Sequence, residues 1–332
     1  ANVVLNNSLV KVETVNGDSG TYNGIYVYGA HASVTLNGES NVEVDVEGAT
    51  YAAGIATYRG NNTVTLNGAS EVGVSGDDVG ELVGIRMKDG DNTVVMNGSS
   101  RLDVYAVTLN DDASIEVTSG YSDNRLGGIV LNNNENMAVT LNDRANVTTS
   151  GRGDIAGIYA RDVDNSSITL NGQSSVNAGY GIGIQLHESD NNIVTVAAGA
   201  SVYGGTGIKA RGRFNILDIA GTVTGTNTLA IDMRNGNNGT LILNSATING
   251  GIRGGGTGTD HLVLQGAGQF DGTVRDFGDL TVNASGIWNL TNTITVSNDV
   301  NINSGTLAIN GTLYADTVYV NSGGTLGGNS NI

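Results

Sequence analysis

Apolar and polar residues alternate along most of this chain in short runs, punctuated by Gly, Asn and Asp. The run Val34-Thr-Leu-Asn-Gly38 returns at Val64-Thr-Leu-Asn-Gly68 and Val94-Val-Met-Asn-Gly98, each 30 residues after the last. It recurs as Val107-Thr-Leu-Asn-Asp111, Val139-Thr-Leu-Asn-Asp143 and Ile168-Thr-Leu-Asn-Gly172. A ladder of Gly-Ile pairs runs beside it, at Gly24-Ile25, Gly54-Ile55, Gly84-Ile85, Gly128-Ile129, Gly157-Ile158, Gly183-Ile184 and Gly207-Ile208, continued by Ala230-Ile231 and Gly251-Ile252. Between the two lies a third alternating set: Val42 and Val44, Val72 and Val74, Leu102 and Val104, Ile115 and Val117. Period-two alternation rich in Val, Ile and Thr predicts strands, and no helical spacing is sustained.

Three short strands per repeat predict an all-β chain wound as a parallel β-helix, each coil burying its inward residues against the coils above and below. At ~4.8 Å per coil, roughly a dozen coils make a rod on the order of 60 Å long. Asn-Gly turns the chain sharply because both residues tolerate positive φ, and amides stacked in register can hydrogen-bond along the rod. Asn37, Asn67, Asn97, Asn142 and Asn171 are therefore expected to form a structural ladder. The 13-residue step from Val94 to Val107 lacks a Gly-Ile strand, and the layout of residues 94–128 stays open.

Composition agrees with a thin, extended core. The 332 residues include 51 Gly, no Pro, 5% aromatics and 39% hydrophobic residues. The absence of Cys excludes disulfides and thiolate metal sites, and no apolar run reaches the ~18 residues of a membrane-spanning helix. A net charge of −17 repels nucleic acid and anionic lipid, leaving a local cationic patch as the possible anion site. The texture changes near residue 254, after which Arg275 is the last cation. We read residues 1–253 as coils bearing the functional face and 254–332 as smoother terminal coils of the same solenoid. The chain stops at "GGNSNI" without a polar cap, which suggests that it is cut from something larger.

If each Ile of the Gly-Ile ladder points inward, two outward columns follow. The first reads Tyr26, Ala56, Arg86, Val130, Tyr159, Gln185, Lys209, Asp232, Arg253; the second reads Tyr28, Tyr58, Lys88, Asn132, Arg161, His187, Arg211, Arg234. Seven of the 15 cations stand on these columns, with Arg59 and Arg213 adjacent, so "GIKARGR" at 207–213 is one rung of a stripe. Like charges on neighbouring strands repel, and Arg161, His187, Arg211 and Arg234 follow one another without an acid in their own column. Two sources of relief stay open. The following loops supply Asp89, Asp91, Asp162, Asp164, Glu188 and Asp190. Alternatively, an anionic polysaccharide supplies sulfates or carboxylates, gripped by Arg and supported by tyrosine stacking, with many weak contacts adding through avidity. The candidate binding residues are Arg86, Lys88, Arg161, His187, Lys209, Arg211, Arg234, Arg253, Tyr28, Tyr58 and Tyr159. The third strand set carries acids outward, including Glu43, Asp45, Asp103 and Glu116; meeting the stripe of another copy, it would let rods zip together in a salt-sensitive way.

No catalytic or metal site is expected. Gly255-Gly-Thr-Gly-Thr-Asp-His-Leu-Val263 fits a calcium-binding repeat once, whereas such sites need consecutive copies, so a Gly-rich turn is the simpler reading. Polysaccharide lyases and hydrolases also use parallel β-helices, but His31, His187 and His261 are scattered, and Asp77-Asp78 and Asp111-Asp112 lie in turn-like segments without assigned partners. No cofactor is implied.

The VTLNG-type repeats, the lack of Cys, and the closing stretches Asp260-His-Leu-Val-Leu-Gln-Gly266, "FDGTV" (270–274), "FGDLTVNASGIWNL" (277–290) and "VNSGGTLGG" (320–328) resemble the passenger domain of an autotransporter adhesin, of the self-associating and diffuse-adherence types. The resemblance covers the whole chain in style and is most specific over 254–328. It implies a right-handed, three-sided β-helix at a Gram-negative bacterial cell surface, anchored through a following membrane β-barrel. The implied partners are host extracellular matrix, glycosaminoglycan-like polysaccharides, or copies of the protein itself.

Overall fold

A computed structural model describes the chain except residues 15–19, 60–61, 69, 78–81, 89–92, 99–105, 110–113, 119–125, 136–137, 151–154, 257 and 330–332; for 68, 75–77, 82–84, 86–88, 93–98, 106–109, 114–118, 126–127, 130 and 132–135 it describes the backbone alone. The protein is all-β, 70% strand, with no helix among the described residues. Its strands pair in parallel into long sheets, the pattern of a β-helix-like solenoid.

The VTLNG-type strands build the largest sheet, which has 15 strands and runs from Asn2–Asn6 to Thr317–Val320 and Gly324–Gly328. Its register is the sequence repeat itself: Val34 pairs with Val64, Val64 with Val94, Val139 with Ile168 and Leu241 with Leu262. Side chains alternate as the pleat requires, so Val34, Leu36, Val64 and Leu66 are wholly buried while Thr35 and Asn37 are partly exposed. The irregular step is accommodated here, because Val94 pairs with Val107 and Val107 with Val139. This first face continues without interruption past residue 254.

The other two strand sets form a second and a third face. Near the N-terminus these are separate three-stranded sheets, Leu9–Glu13, Asn41–Glu47 and Glu71–Asp77 on one and Thr21–Tyr28, Tyr51–Tyr58 and Leu82–Lys88 on the other. From Ser114 onward both belong to one 13-stranded sheet, joined where Thr222–Asp232 and Thr247–Arg253 run from one face into the next.

The Gly-Ile ladder marks the entry to the third face, and close packing explains its glycine. A Cβ at Gly157 would sit 2.3 Å from the Val176 side chain and 2.7 Å from the carbonyl oxygen of Gly183 in the next coil. Gly24, Gly128, Gly183 and Gly207 meet the same two obstacles. Where Ala230 replaces the glycine, the pairing shifts register on both sides of Leu229.

Amide ladders hold the corners. On the first face Asn37 donates to Asn6, Asn67 to Asn37 and Asn171 to Asn142, each at 2.7–2.9 Å. A second ladder lies inside the coil at the residue preceding three of the first-face strands: the Asn62 side chain accepts the Ala32 N–H, Asn192 that of Ser166, and Asn215 that of Asn192, all at 2.9 Å. Asn192 and Asn215 are almost fully buried and donate to the Val163 and Ser189 carbonyls. These bonds satisfy backbone groups that a solenoid corner would otherwise bury unpaired.

Candidate functional site: the outer wall of the third face

The third face aligns the two outward columns. Tyr26 pairs with Ala56 and Ala56 with Arg86; Tyr159 pairs with Gln185, Gln185 with Lys209, Lys209 with Asp232, Asp232 with Arg253, and Arg253 with Arg275. In the second column Tyr28 pairs with Tyr58 and Tyr58 with Lys88, and Arg161 pairs with His187. The pairing of Leu186 with Ala210 carries this column on to Arg211. The intervening inward residues Val27, Leu131, Ala160, Leu186, Ala210 and Met233 are buried. Arg86 and Lys88 take their expected register positions, and their side chains lie outside the described residues. Arg275 extends the first column by one rung beyond its expected end.

The wall divides into two chemically distinct zones. From Arg161 onward it is ionic, and protein carboxylates neutralise much of it. Arg213 approaches Asp190 at 3.0 Å, Arg253 pairs with Asp276 at 2.5 Å, and Arg161 lies 3.3 Å from Asp162 and 4.0 Å from Glu188. Arg234, in the turn just past the strand Thr222–Asp232, grips Asp232 through Nε at 2.9 and 3.1 Å and Nη2 at 2.7 Å. Asp232 faces outward yet is only 2% exposed. Burial pushes its carboxyl up, but the hydrogen bonds and charge of Arg234, with the charge of Lys209, outweigh that and hold it below the usual carboxylate range. The same pairing raises the Arg234 guanidinium.

Relief is incomplete over three consecutive rungs. Arg161 Nε, His187 Nδ1 and Arg211 Nε are each shielded from solvent without a hydrogen-bond partner. Arg161 Nε is close enough to Asp162 for charge attraction, but it makes no hydrogen bond there. His187 approaches only Glu188, at 4.0 Å through Nε2, and Arg211 has no ion pair among the described residues. A buried donor without an acceptor costs roughly 1–3 kcal/mol, more beside charge. Beyond these shielded nitrogens the side chains stay partly exposed, 40% for Arg161 and 25% for His187, so an external anion would meet the outer ends of an incompletely neutralised trio.

The N-terminal zone is aromatic. Tyr26, Tyr28 and Tyr58 have ring centroids 5.4–6.5 Å apart. Tyr159 is half-buried further along, beside the ionic zone and apart from this cluster. In the Gly-rich stretch before His261, whose residue 257 lies outside the described residues, the buried Asp260 carboxylate accepts the N–H groups of Gly239 at 2.8 Å and Gly255 at 2.5 Å. Its oxygens are thus occupied by backbone. Among the described residues no three His, Asp or Glu side chains gather as a metal site.

No protein-family profile matches the chain, and no curated protein or solved structure matches it either.

Proposed function

We propose that the protein is a non-enzymatic adhesin of a Gram-negative bacterial surface, a right-handed, three-sided β-helix that binds anionic matrix polysaccharides along its third face. The observation that carries this reading is the run Arg161, His187 and Arg211, three neighbouring rungs at ~4.8 Å spacing with unpaired nitrogens and no acid in their own column. Sulfates or carboxylates repeating along a linear polymer would relieve the repulsion at the partly exposed outer ends of these side chains, and guanidinium suits them through two parallel N–H bonds. Arg211 and Arg161 grip the polymer; Lys209, Arg253 and Arg275 extend the track; Arg234, tied to Asp232, shapes it.

Immobilised heparin provides the test. The protein binds at low salt and releases as NaCl rises, since exposed charge pairs are screened within ~8–10 Å. Arg161→Ala with Arg211→Ala lowers affinity at least ~10-fold, equivalent to about 1.4 kcal/mol, whereas Arg213→Ala, whose guanidinium is held by Asp190, has a small effect. No binding by the native protein, or equal binding by the double variant, sinks the proposal.

A further inference from the structure

The tyrosine cluster has a chemistry that an anion-binding wall does not require. Tyr26 and Tyr28 are two residues apart on the strand Thr21–Tyr28, so both project outward, and their rings are parallel to within 7°. Tyr58 stands on the next rung directly opposite Tyr28, while Tyr26 is opposite Ala56. The small side chain at Ala56 leaves room for the Tyr26 and Tyr58 rings to close over it, at 5.4 Å and 42°. Ala56 thereby becomes fully buried on the outside of the wall, together with Ala53 and nearly all of Tyr51, in an apolar cluster separate from the main core. Tyr26 and Tyr28 nevertheless remain 55% and 59% exposed. Arg59 completes the arrangement: its guanidinium lies 4.6 Å from the centre of the Tyr28 ring and donates a 2.7 Å hydrogen bond to the Tyr28 hydroxyl. The residue sits at φ +76°, a backbone conformation costly for a side chain of this size.

We infer that Tyr26, Tyr28 and Tyr58 form a second carbohydrate subsite, a stacking platform for uncharged pyranose rings, with Arg59 fixing Tyr28 and offering its remaining N–H groups to a sugar hydroxyl. The inference rests on the reading of the third face as a glycan-binding wall and adds a ligand class to it. Size and charge select this occupant. Each tyrosine can bury roughly 150–250 Å², so two half-exposed rings and the partly buried Tyr58 offer well under the ~800 Å² per partner that a stable protein–protein contact needs. A pyranose presents a flat C–H face of about one aromatic ring and a rim of hydroxyls, which matches aromatic rings edged by the Arg59 guanidinium. No carboxylate pairs with Arg59 among the described residues, and although Arg86 and Lys88 occupy the next rung, the stacking faces themselves carry no charge, so sugar stacking on them does not depend on the counter-ions that drive the ionic zone.

Saturation-transfer NMR on the whole protein with cellopentaose, laminaripentaose and β-1,4-galactopentaose tests this. At least one pentaose receives saturation at its ring C–H protons, equally at 50 and 500 mM NaCl. Tyr26→Ala with Tyr28→Ala cuts the signal at least fivefold with unchanged circular dichroism; Tyr26→Phe with Tyr28→Phe keeps it, because the ring face and not the hydroxyl makes the contact. Arg161→Ala with Arg211→Ala leaves the pentaose signal intact while heparin binding falls, so the two subsites fail separately. If no pentaose is saturated, if the alanine pair binds as well as the native protein, or if the signal fades with salt, the inference is wrong. Tyrosine resonances that shift with protein concentration in the absence of sugar would overturn it too, by showing a second copy on the platform.

Discussion

Asp232 shows how one residue sets the chemistry of its surroundings. It interrupts a column that otherwise reads Lys209, Arg253, Arg275, and its carboxylate is held by Arg234. Its folded pKa is depressed, so its contribution is complete above the ordinary carboxylate value of ~3.9 and is lost as the pH falls through the lower folded value. Asp232→Asn is expected to cost about 1–2 kcal/mol at neutral pH, a range kept low because Arg234 is 42% exposed and its charge is screened. The gap to the native protein narrows from about pH 4 downward. Denaturant midpoints at pH 7 and pH 3 check this; a gap of the same size at both would show that the carboxylate charge is not what matters.

Among elements, the solenoid corner is where sequence and structure part. The strand columns were legible because the outward order of a strand follows from knowing one inward residue, and the Gly-Ile pairs gave that residue in nearly every coil. The VTLNG asparagine ladder was legible for the same reason. The inner ladder of Asn62, Asn192 and Asn215 was not, since these side chains turn inward at bends, where alternation gives no orientation. Arg275 was missed because the Gly-Ile marker ends at Ile252, although pairing carries the column on. Which carboxylate neutralises which cation was also illegible: the loop acids were adjacent in sequence, but Asp276 reaches Arg253 across 23 residues. A consequence follows for Asn192. Asn192→Ala leaves the Ser166 N–H and the Val163 carbonyl unpaired, at roughly 1–3 kcal/mol for each buried group. Coils contact only their neighbours, so hydrogen exchange should accelerate at Ser166 and the adjoining coils and stay unchanged beyond residue 280. Uniform acceleration along the chain would contradict nearest-neighbour coupling.

Over the whole molecule, core composition is graded along the stack. Among the described residues the N-terminal and middle coils bury Val, Ile, Leu and Ala, whereas the three largest fully enclosed side chains, Trp288, Phe270 and Phe277, lie within eighteen residues of one another in the C-terminal part. Trp288 packs on Gly268, where an added Cβ would come within 2.8 Å of its ring, and donates its indole N–H to the Gln265 carbonyl at 2.8 Å. Burying an aromatic side chain yields more than burying Val or Ala, and a stack stabilised through neighbouring interfaces can unfold in sections when those interfaces differ. The protein's single tryptophan therefore reports on its strongest region, while circular dichroism averages all of it. In guanidinium titrations the dichroism should begin to fall first and Trp288 fluorescence should change at higher denaturant. Gly268→Val, which forces the indole from its seat, should bring the fluorescence transition down toward the other and leave the onset of dichroism loss where it was. Superimposable transitions in the native protein would mean that the aromatic coils and the rest of the stack unfold as one cooperative unit, and that the gradient in core residues is too small to divide it.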